Sequence, residues 1–510
     1  MTIASASPAP AQPVPPGLLQ PIRERHPQLT SIVSALILVV YFLGILGHSF
    51  WAENEAYYAL GANSVRAGHF LLPTFSEGLP IDKPPLVCWS IALLSWPIGS
   101  ATEITARLAN IIPAFAVLWL IFRFAAQYVS RQAGILSALI LATSYEFWEN
   151  SLEASTDLTL LAFLILCWCN IFAILQGGFT WRRWLLVWIP MGLGVLTKGP
   201  VAVALSGLIG CVYAIAQYGT SDGIRRLFRL RPFGGLMLCL LPITAWCAAV
   251  YFVHGWGPLK DIIYRQNVTR FVHAFNHVKP WWYLIKEYPM NLLPWTALLP
   301  LVFVQWISRK RRGIAHGDWR TFCATCNVVV LVFFSLSSAK RDYYLLPLMP
   351  WAAVLLADCL DPEGQIAEHS RSHRQTWGII AGITLLMMLG AYAVIAFPRL
   401  ETRRSVIPFV RKAEQLSSPD NPLVYFGNED PRIFYYLNRK VIFCEDTAAG
   451  YQSLRQIIAA HPKVDILYDS DVQETITNEA RVPLYPLGSE KIRNKTYYIV
   501  TTRQSPDAAN

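Results

Sequence analysis

The sequence predicts an all-α polytopic membrane protein, with about 11 to 13 transmembrane helices, followed by a small soluble α/β domain at the C-terminus. Of its 510 residues, 54% are hydrophobic and only 15% are charged, which is too apolar for an ordinary soluble enzyme. Its long apolar stretches approach the roughly 20 residues that a helix needs to cross the hydrocarbon core of a bilayer. Helices are expected because unpaired backbone groups are prohibitive in lipid.

Eleven stretches of the sequence are predicted to span the membrane. They are 31–48, 106–127, 132–147, 158–176, 184–197, 200–217, 233–253, 291–307, 321–338, 343–359 and 376–397. With a cytoplasmic N-terminus, the basic clusters at Arg182-Arg183, Arg225-Arg226 and 309–312 fall in cytoplasmic loops, as the positive-inside rule requires. The apolar run 86–99 is short for a span, and we interpret it as an interfacial helix lying along the membrane.

Three regions follow from this pattern. Residues 1–30 are rich in Pro, Ala and Ser and are predicted to form a disordered tail. Residues 31–398 form the membrane domain, in which the external loop 49–105 contains juxtamembrane helices. Residues 399–510 show higher charge and short β-rich runs, at 423–426, 441–444, 464–468 and 497–501, and are predicted to form an external α/β domain.

The net charge of +10 suits a protein that faces anionic lipid head groups. Its basic residues are dispersed among the spans without a nucleic-acid-binding motif, so a nucleic-acid partner is excluded. The pair Cys323 and Cys326 lies in an apolar run without a second pair and is interpreted as packing. The residues predict no metal site.

Acidic residues and tyrosines open the first external loop, at Glu53-Asn54-Glu55 and Tyr57-Tyr58. Acids at a membrane boundary are costly to desolvate unless they have partners, which favours a function over a solvated helix cap. Asp157 begins a predicted span, where either a site acid or a helix cap is consistent with its position.

Basic residues follow several of the same spans. Lys83 precedes Pro84-Pro85, which fixes the backbone, and a fixed ammonium suits a lipid phosphate, although a snorkelling lysine explains it equally well. Lys198 precedes Gly199-Pro200, a pair that demands a sharp turn. Arg270 is a further candidate, because a guanidinium can hold a phosphate through two hydrogen bonds. The last candidates are Lys340 and Arg341, a basic pair that is predicted to face outward beside Tyr344. A salt bridge to Asp342 is the alternative for that pair.

In this order, the motifs resemble those of the polytopic lipid-linked-sugar glycosyltransferases of the GT-C type. The similarity is greater to the superfamily of bacterial aminoarabinose lipid A transferases and protein O-mannosyltransferases, and it covers about residues 30–400. The resemblance implies transfer of a sugar from a polyprenyl-phosphate carrier to an acceptor on the external face of the membrane, with inversion at the anomeric carbon. It also implies a bacterial inner membrane protein with an external domain after the last span.

The resemblance assigns roles to particular residues. It implies that Lys83, Arg270 and Tyr344 hold the carrier phosphate and that Lys198 lies in a further signature of the family. Relatives usually open the first loop with Asp-Glu, whereas this chain has Asn54-Glu55. Because an amide cannot accept a proton, that role passes to Glu55 or Glu53. Asn54 therefore indicates either an acceptor that is already ionised, such as a phosphate, or a diverged subgroup.

The sequence thus predicts a membrane glycosyltransferase that acts on a lipid A-like acceptor. The predicted catalytic residues are Glu55 and Asp157. The predicted carrier-phosphate ligands are Lys83, Lys198, Arg270, Lys340, Arg341 and Tyr344, with Glu53, Asn54 and Tyr58 as further substrate contacts. No cofactor is identified, a divalent metal is left open, and the carrier-linked sugar is a substrate. A protein O-mannosyltransferase and a lipid or sugar transporter without chemistry are the rival hypotheses.

Overall fold

A computed structural model describes residues 27–76, 79–263, 278–311, 318–360 and 368–502. The helices are α1 Pro27–Ile45, α2 Glu53–Arg66, α3 Leu86–Leu94, α4 Glu103–Tyr128, α5 Arg131–Ala142, α6 Tyr145–Leu152, α7 Asp157–Leu175, α8 Trp181–Lys198, α9 Val201–Leu227, α10 Pro232–His254, α11 Tyr283–Asn291, α12 Leu299–Arg311, α13 Asp318–Leu336, α14 Met349–Leu360, α15 Glu368–Arg404, α16 Ile407–Leu416, α17 Pro431–Tyr436, α18 Ala448–Ala460 and α19 Gln473–Glu479. Short 3-10 helices include Trp295–Leu298 and Asp342–Leu348.

Eight helices in the described part of the chain are long and apolar enough to cross a membrane, or nine if one bent pair counts as a span. The predicted fold class is confirmed, and most residues of each of the eleven predicted stretches are helical. The lower count has two causes. The helix α5 has only 12 residues, and α8 carries two arginines in its first turn. The stretch 291–307 is broken rather than straight, since the chain bends by 104° between Tyr283–Asn291 and Trp295–Ser308.

Helix ends fall where the local sequence satisfies exposed backbone groups. Thr102 and Thr180 accept hydrogen bonds from the backbone N–H groups of Thr105 and Arg183, which caps α4 and α8. The helix α8 ends at Lys198 because Gly199 adopts φ 87°, a conformation that glycine tolerates without a Cβ clash. The sharp turn predicted at this position is confirmed, and it fixes where the Lys198 side chain leaves the bundle.

Aromatic side chains pack together between four helices of the bundle. The rings of Phe124, Phe172 and Phe322 pack around Trp351, with centroids 5.0–5.4 Å apart in the closest pairs. Trp168 lies parallel to Trp351 at 6.3 Å. Large rings of this kind bury much apolar area and add orientation-dependent contacts. They hold α4, α7, α13 and α14 together in the half of the bundle that contains Leu175 and Arg320.

Long-range hydrogen bonds show which helix ends lie together. At one end of the bundle, Arg107 donates to the carbonyl of Ile45 at 3.2 Å, Trp295 Nε1 donates to Thr143 Oγ1 at 2.8 Å, and Asn291 Nδ2 donates to the Asp342 carbonyl at 3.0 Å. We call this the motif end. At the opposite end, Arg226 donates to the Leu175 carbonyl and Arg320 forms a two-bonded ion pair with Asp358.

The first loop forms a small layer over the motif end. It contains α2, an antiparallel hairpin of β1 Thr74–Ser76 and β2 Leu79–Pro80, and α3. With nine residues, α3 is too short to cross a bilayer. At its C-terminal end, Leu93 and the following Trp96 are 73% and 71% exposed, as an interfacial segment requires.

The C-terminal region contains one five-stranded sheet. Its strands are β3 Leu423–Gly427, β4 Ile442–Glu445, β5 Asp465–Asp469, β6 Tyr485–Ile492 and β7 Lys495–Thr501, in the order β4-β3-β5-β7-β6. The strands β4, β3 and β5 are parallel, whereas β7 is antiparallel to both neighbours. The strand β6 was not predicted from the sequence.

Hydrogen bonds join this domain to the first loop. The Tyr436 hydroxyl accepts from the backbone N–H of Phe50 at 2.8 Å and donates to Glu103 Oε1 at 2.7 Å. Arg432 Nη1 donates to the Trp51 carbonyl at 3.0 Å. The soluble domain is therefore docked on the motif end, so that α17 holds the start of the loop in place.

Candidate functional site

The centre of the motif end is an ion pair between Asp157 and Lys198. Asp157 begins α7 and Lys198 ends α8, and Lys198 Nζ lies 2.5 Å from Asp157 Oδ1. The two side chains are 15% and 20% exposed, so the pair is accessible from outside. The ammonium also lies 5.2 Å and 5.7 Å from the ring centres of Tyr343 and Tyr344. Aromatic faces attract cations at this distance, which helps to hold the Lys198 ammonium beside the two rings.

A second accessible pair lies in the first loop. Lys83 Nζ is 2.9 Å from Asp82 Oδ2, with the two side chains 16% and 37% exposed. The Tyr57 hydroxyl donates to Asp82 Oδ1 at 3.1 Å and accepts from the Asp82 backbone N–H at 2.7 Å. Pro84 and Pro85 follow directly and restrict the backbone. The Lys83 ammonium is therefore held by its own loop and by α2.

Tyr58 is close to the carboxylate of each pair. Burial raises its pKa well above the ordinary value, and the nearby Asp82, Cys88 and Asp157 raise it further, whereas a hydrogen bond with the Thr156 side chain lowers it. The hydroxyl therefore remains protonated and available as a donor at physiological pH. Two lysines that are 115 positions apart in the sequence therefore have carboxylate partners that both act on the buried Tyr58.

Glu55 has a different environment. Its carboxylate lies 2.7 Å from Arg107 Nε, and the two side chains are 1% and 0% exposed. It also accepts from the backbone N–H groups of Trp51 and Ala52, at 3.1 Å and 3.3 Å. This geometry disfavours the predicted role of Glu55 in accepting a proton, because protonation would break a buried ion pair.

The other first-loop candidates are more exposed. The Glu53 side chain is 56% exposed and lies 3.8 Å from Arg432 Nη2 of the soluble domain. Asn54 is exposed. Neither residue lies next to the Asp157–Lys198 pair in the described contacts, so their predicted contacts with substrate depend on how far the substrate extends outward.

The basic residues after α13 are arranged unequally. The Lys340 ammonium donates to the backbone carbonyls of Lys279, at 3.1 Å, and Ser337, and the residue is only 4% exposed. Burial lowers its pKa. This geometry disfavours its predicted role as a phosphate ligand. The Arg341 guanidinium lies 5.6 Å from the Tyr343 ring centre, and Arg270 lies outside the described residues.

Two residues near the site were missed in the sequence. Arg107 is a cation near the start of a predicted span that is apolar from Ile111 to Phe122, and a charged residue in a span is a recognised signal for a functional or buried partner. Glu146 lies in α6, outside the spanning helices, and is 3% exposed. Burial, followed by Asp342, raises its pKa to about 8. Its carboxylate accepts a hydrogen bond from Asn150, four residues later, at 2.8 Å, but its burial results from the tertiary fold and was not evident from the sequence.

No group of three or more His, Cys, Asp and Glu side chains within the described ranges is arranged to hold a metal ion. The site is built from paired lysines and aspartates with tyrosines beside them. Such a surface can bind a phosphate by exchanging carboxylate partners for phosphate oxygens.

A family model described as dolichyl-phosphate-mannose-protein mannosyltransferase matches residues 82–252, the range that holds both accessible ion pairs. An undecaprenyl phosphate-alpha-4-amino-4-deoxy-L-arabinose arabinosyl transferase of Pseudomonas savastanoi is 28% identical over 382 residues, which cover 72% of this chain and 66% of that relative. The corresponding enzyme of Erwinia tasmaniensis is 23% identical, with 73% and 68% covered.

Solved structures show the same fold. ArnT from Cupriavidus metallidurans, bound to undecaprenyl phosphate, aligns with a TM-score of 0.70 and 18% identity over 94% of this chain and 98% of that chain. The archaeal oligosaccharyltransferase AglB from Archaeoglobus fulgidus aligns with a TM-score of 0.54 and 11% identity, over 89% and 71%.

The chain is thus similar in sequence, over about 72% of its length, to transferases that use an undecaprenyl-phosphate-linked sugar, and similar in fold to ArnT. This confirms the family resemblance predicted from the ordered motifs, and it makes the chain a multi-pass membrane enzyme. A transporter without chemistry is set aside. The chemistry of the enzyme must then account for Lys83 and Lys198, whose carboxylate partners are both close to Tyr58.

Proposed function

We propose that this enzyme transfers a sugar from a polyprenyl-phosphate carrier to a glycolipid acceptor of the lipid A type, with inversion at the anomeric carbon. The reaction takes place at the motif end of the bundle. We place this end on the periplasmic side of a bacterial inner membrane, with the N-terminus in the cytoplasm and the soluble domain outside. The names of the relatives, which use an undecaprenyl-phosphate-linked sugar, support the donor class.

The observation that carries the proposal is the convergence of two accessible lysine–aspartate pairs at one end of the bundle. They come from the first loop and from the junction of α7 with α8, and the carboxylates of both pairs are close enough to Tyr58 to raise its pKa. Positive side chains that face outward are unusual in membrane proteins. Two such residues with carboxylate partners near one tyrosine provide a binding place for an anionic group at head-group depth.

The chemistry follows from where charge develops. As the bond between the anomeric carbon and the phosphate oxygen breaks, its electron pair remains on the oxygen and the carrier phosphate gains negative charge. Lys83 and Lys198 are already positioned by Asp82 and Asp157, so they can neutralise this charge with little reorganisation. The acceptor oxygen attacks the opposite face of the anomeric carbon, which inverts its configuration.

The arrangement of carboxylates favours an acceptor that is already ionised. Glu55, the carboxylate predicted to take a proton, is fully engaged by Arg107 and two backbone N–H groups, and Asp82 and Asp157 become free only after their lysines turn to the phosphate. A phosphate acceptor needs no proton removed, whereas a hydroxyl acceptor needs a carboxylate to take its proton. This supports a phosphorylated glycolipid and agrees with Asn54 at the position where relatives have Asp.

The matched family model favours a second candidate, a protein O-mannosyltransferase. Its acceptor would be a serine or threonine hydroxyl of an exported polypeptide. Asp157, released from Lys198 when the carrier phosphate binds, would then be the proton acceptor.

A transfer assay tests both proposals. Purified full-length protein is given a labelled polyprenyl-phosphate sugar together with lipid A or with a serine- and threonine-rich peptide. We expect label on lipid A, sensitive to Lys198→Ala. Label on the peptide alone would favour the second candidate, and label on neither would contradict both. Because lysines supply the positive charge, we expect transfer to persist in EDTA, and a loss that Mg²⁺ or Mn²⁺ restores would establish a metal requirement.

Orientation is tested separately. Asn54→Cys at the motif end should react with a membrane-impermeant maleimide in intact spheroplasts, relative to the parent chain with its ten cysteines. Arg225→Cys, whose parent side chain is 80% exposed at the opposite end, should react only after permeabilisation. The reverse pattern would place the site in the cytoplasm.

A further inference from the structure

A groove on the outer surface of the bundle lies far from the motif end. It is formed by α1, α4 and α5 and has a volume of 380 Å³. Its walls are apolar over most of their length, through Val33, Ile37, Leu118, Phe122 and Ile135. Leu38 and Trp119, which also line it, are 50% and 46% exposed. In a protein that spans a membrane, such a surface faces lipid.

The groove has a polar mouth at one end only. Helices α1 and α4 run in opposite directions, so Thr30, near the start of α1, and Arg123, near the end of α4, line the same mouth. Arg131, the first residue of α5, donates from Nη2 to Thr30 Oγ1. The Arg123 guanidinium lies 6.0 Å from the Trp119 ring centre. Two guanidiniums therefore lie at the mouth, and none of the groove's lining residues is acidic.

The dimensions fit one leaflet of a bilayer. From Thr30 to Leu38 on α1, and from Arg123 back to Phe115 on α4, the groove follows eight helical steps, or about 12 Å at 1.5 Å per residue. A single leaflet contributes about 15 Å of hydrocarbon. The groove thus extends from head-group depth almost to the bilayer centre, with positive charge at the shallow end.

We propose that this groove binds one anionic phospholipid. The phosphate lies at Arg123 and Arg131, where guanidinium groups can form paired hydrogen bonds with its oxygens. One acyl chain lies between α1, α4 and α5. Basic pockets between transmembrane helices select anionic lipids over zwitterionic lipids by charge. The site is independent of sugar transfer, since it lies at the opposite end from Lys198.

Lipid binding to the delipidated full-length protein tests the proposal by native mass spectrometry, with phosphatidylglycerol and phosphatidylcholine of identical acyl chains. We expect one phosphatidylglycerol to bind at least about tenfold more tightly than phosphatidylcholine. The variant Arg123→Gln should lose that preference and Arg123→Lys should retain part of it. The control Arg225→Gln removes an exposed arginine that pairs with Asp222 at 3.6 Å, and it should leave the preference unchanged.

A second variant separates the acyl chain from the phosphate. Ser34→Trp fills the groove without changing its charge and should reduce binding of both lipids. Glycerol 1-phosphate, which lacks acyl chains, should not displace the bound phosphatidylglycerol. Equal affinity for the two lipids, an unchanged preference in a folded Arg123→Gln protein, or displacement by glycerol 1-phosphate would each overturn the proposal.

Discussion

Two ion pairs at the motif end differ in their surroundings although both join a carboxylate to a cation at the end of a helix. Glu55 and Arg107 are 1% and 0% exposed. Both carboxylate oxygens of Glu55 and all three guanidinium nitrogens of Arg107 form hydrogen bonds within the protein. Asp157 and Lys198 are 15% and 20% exposed and lie beside two tyrosine rings. The first pair holds the loop in place, and the second remains available to a substrate. A charged side chain near a predicted active site can therefore bind a substrate only where its polar atoms are not all engaged within the protein.

The largest effect is expected from breaking the buried pair. Arg107→Ala leaves the Glu55 carboxylate buried without its partner, which should destabilise the protein by about 3–5 kcal/mol. The melting temperature in detergent should fall strongly and activity should fall with the folded fraction. If Arg107→Ala keeps the parent melting temperature but loses transfer, the pair is catalytic and the comparison fails.

The accessible pair should show the opposite pattern. Lys198→Ala should lower the turnover number by about 10²–10³, as loss of one preorganised donor does in other enzymes, with little change in melting temperature. Lys286→Ala is the matched control, because that lysine is 69% exposed and lies 3.9 Å from Glu287. A Lys198→Ala protein that transfers sugar at the parent rate would remove Lys198 from the site.

A smaller effect is expected where the soluble domain docks. Tyr436→Phe removes the hydroxyl that bonds to Phe50 and Glu103, and it should cost about 1.5–3 kcal/mol because one partner is charged. Hydrogen exchange should increase in residues 49–58. Tyr485→Phe, on the edge strand β6, should leave that exchange as in the parent, and an equal increase in both variants would refute a local docking role.

The smallest effect concerns pH. Glu146 has a folded pKa of about 8, above its ordinary value of 4.5, so the unfolded chain releases this proton at lower pH. The contribution of Glu146 to stability is therefore present below about pH 4.5 and is lost as pH rises towards 8. Melting temperatures of Glu146→Gln should decline less over that range than those of the parent. Glu474→Gln, at an exposed position in α19, should decline as the parent does.

Patterns of neighbouring residues were enough to predict the spans, four of the five C-terminal strands and the turn at Gly199. The predicted end of the span 200–217 also falls next to Gly219, where the backbone of α9 leaves helical geometry with φ 75°. The strand β6 was hidden because Pro486 and Gly488 interrupt it at a bulge. Proline and glycine are depleted in ordinary strands.

The site was less predictable than the fold. Asp157 and Lys198 were recognised by their motifs, but their direct contact joins residues 41 positions apart. The carboxylate of Glu55 was expected to be available to a substrate. Its partner Arg107 lies 52 positions later, near the start of a predicted span, and the sequence does not show that this side chain points towards Glu55. Lys340 was expected to face a ligand, whereas it donates to backbone carbonyls. Sequence shows which groups are charged, and only tertiary structure shows which of them are already neutralised.

The docking of the C-terminal domain also has a consequence for biosynthesis. The Trp51 indole donates to Glu401 at 2.6 Å, and the Trp51 carbonyl accepts from Arg432, 381 positions later. The ribosome therefore synthesises every helix of the bundle before the first loop can form these two hydrogen bonds. The first loop therefore reaches its mature arrangement only near the end of translation, and a prematurely terminated polypeptide would reach the membrane without these contacts.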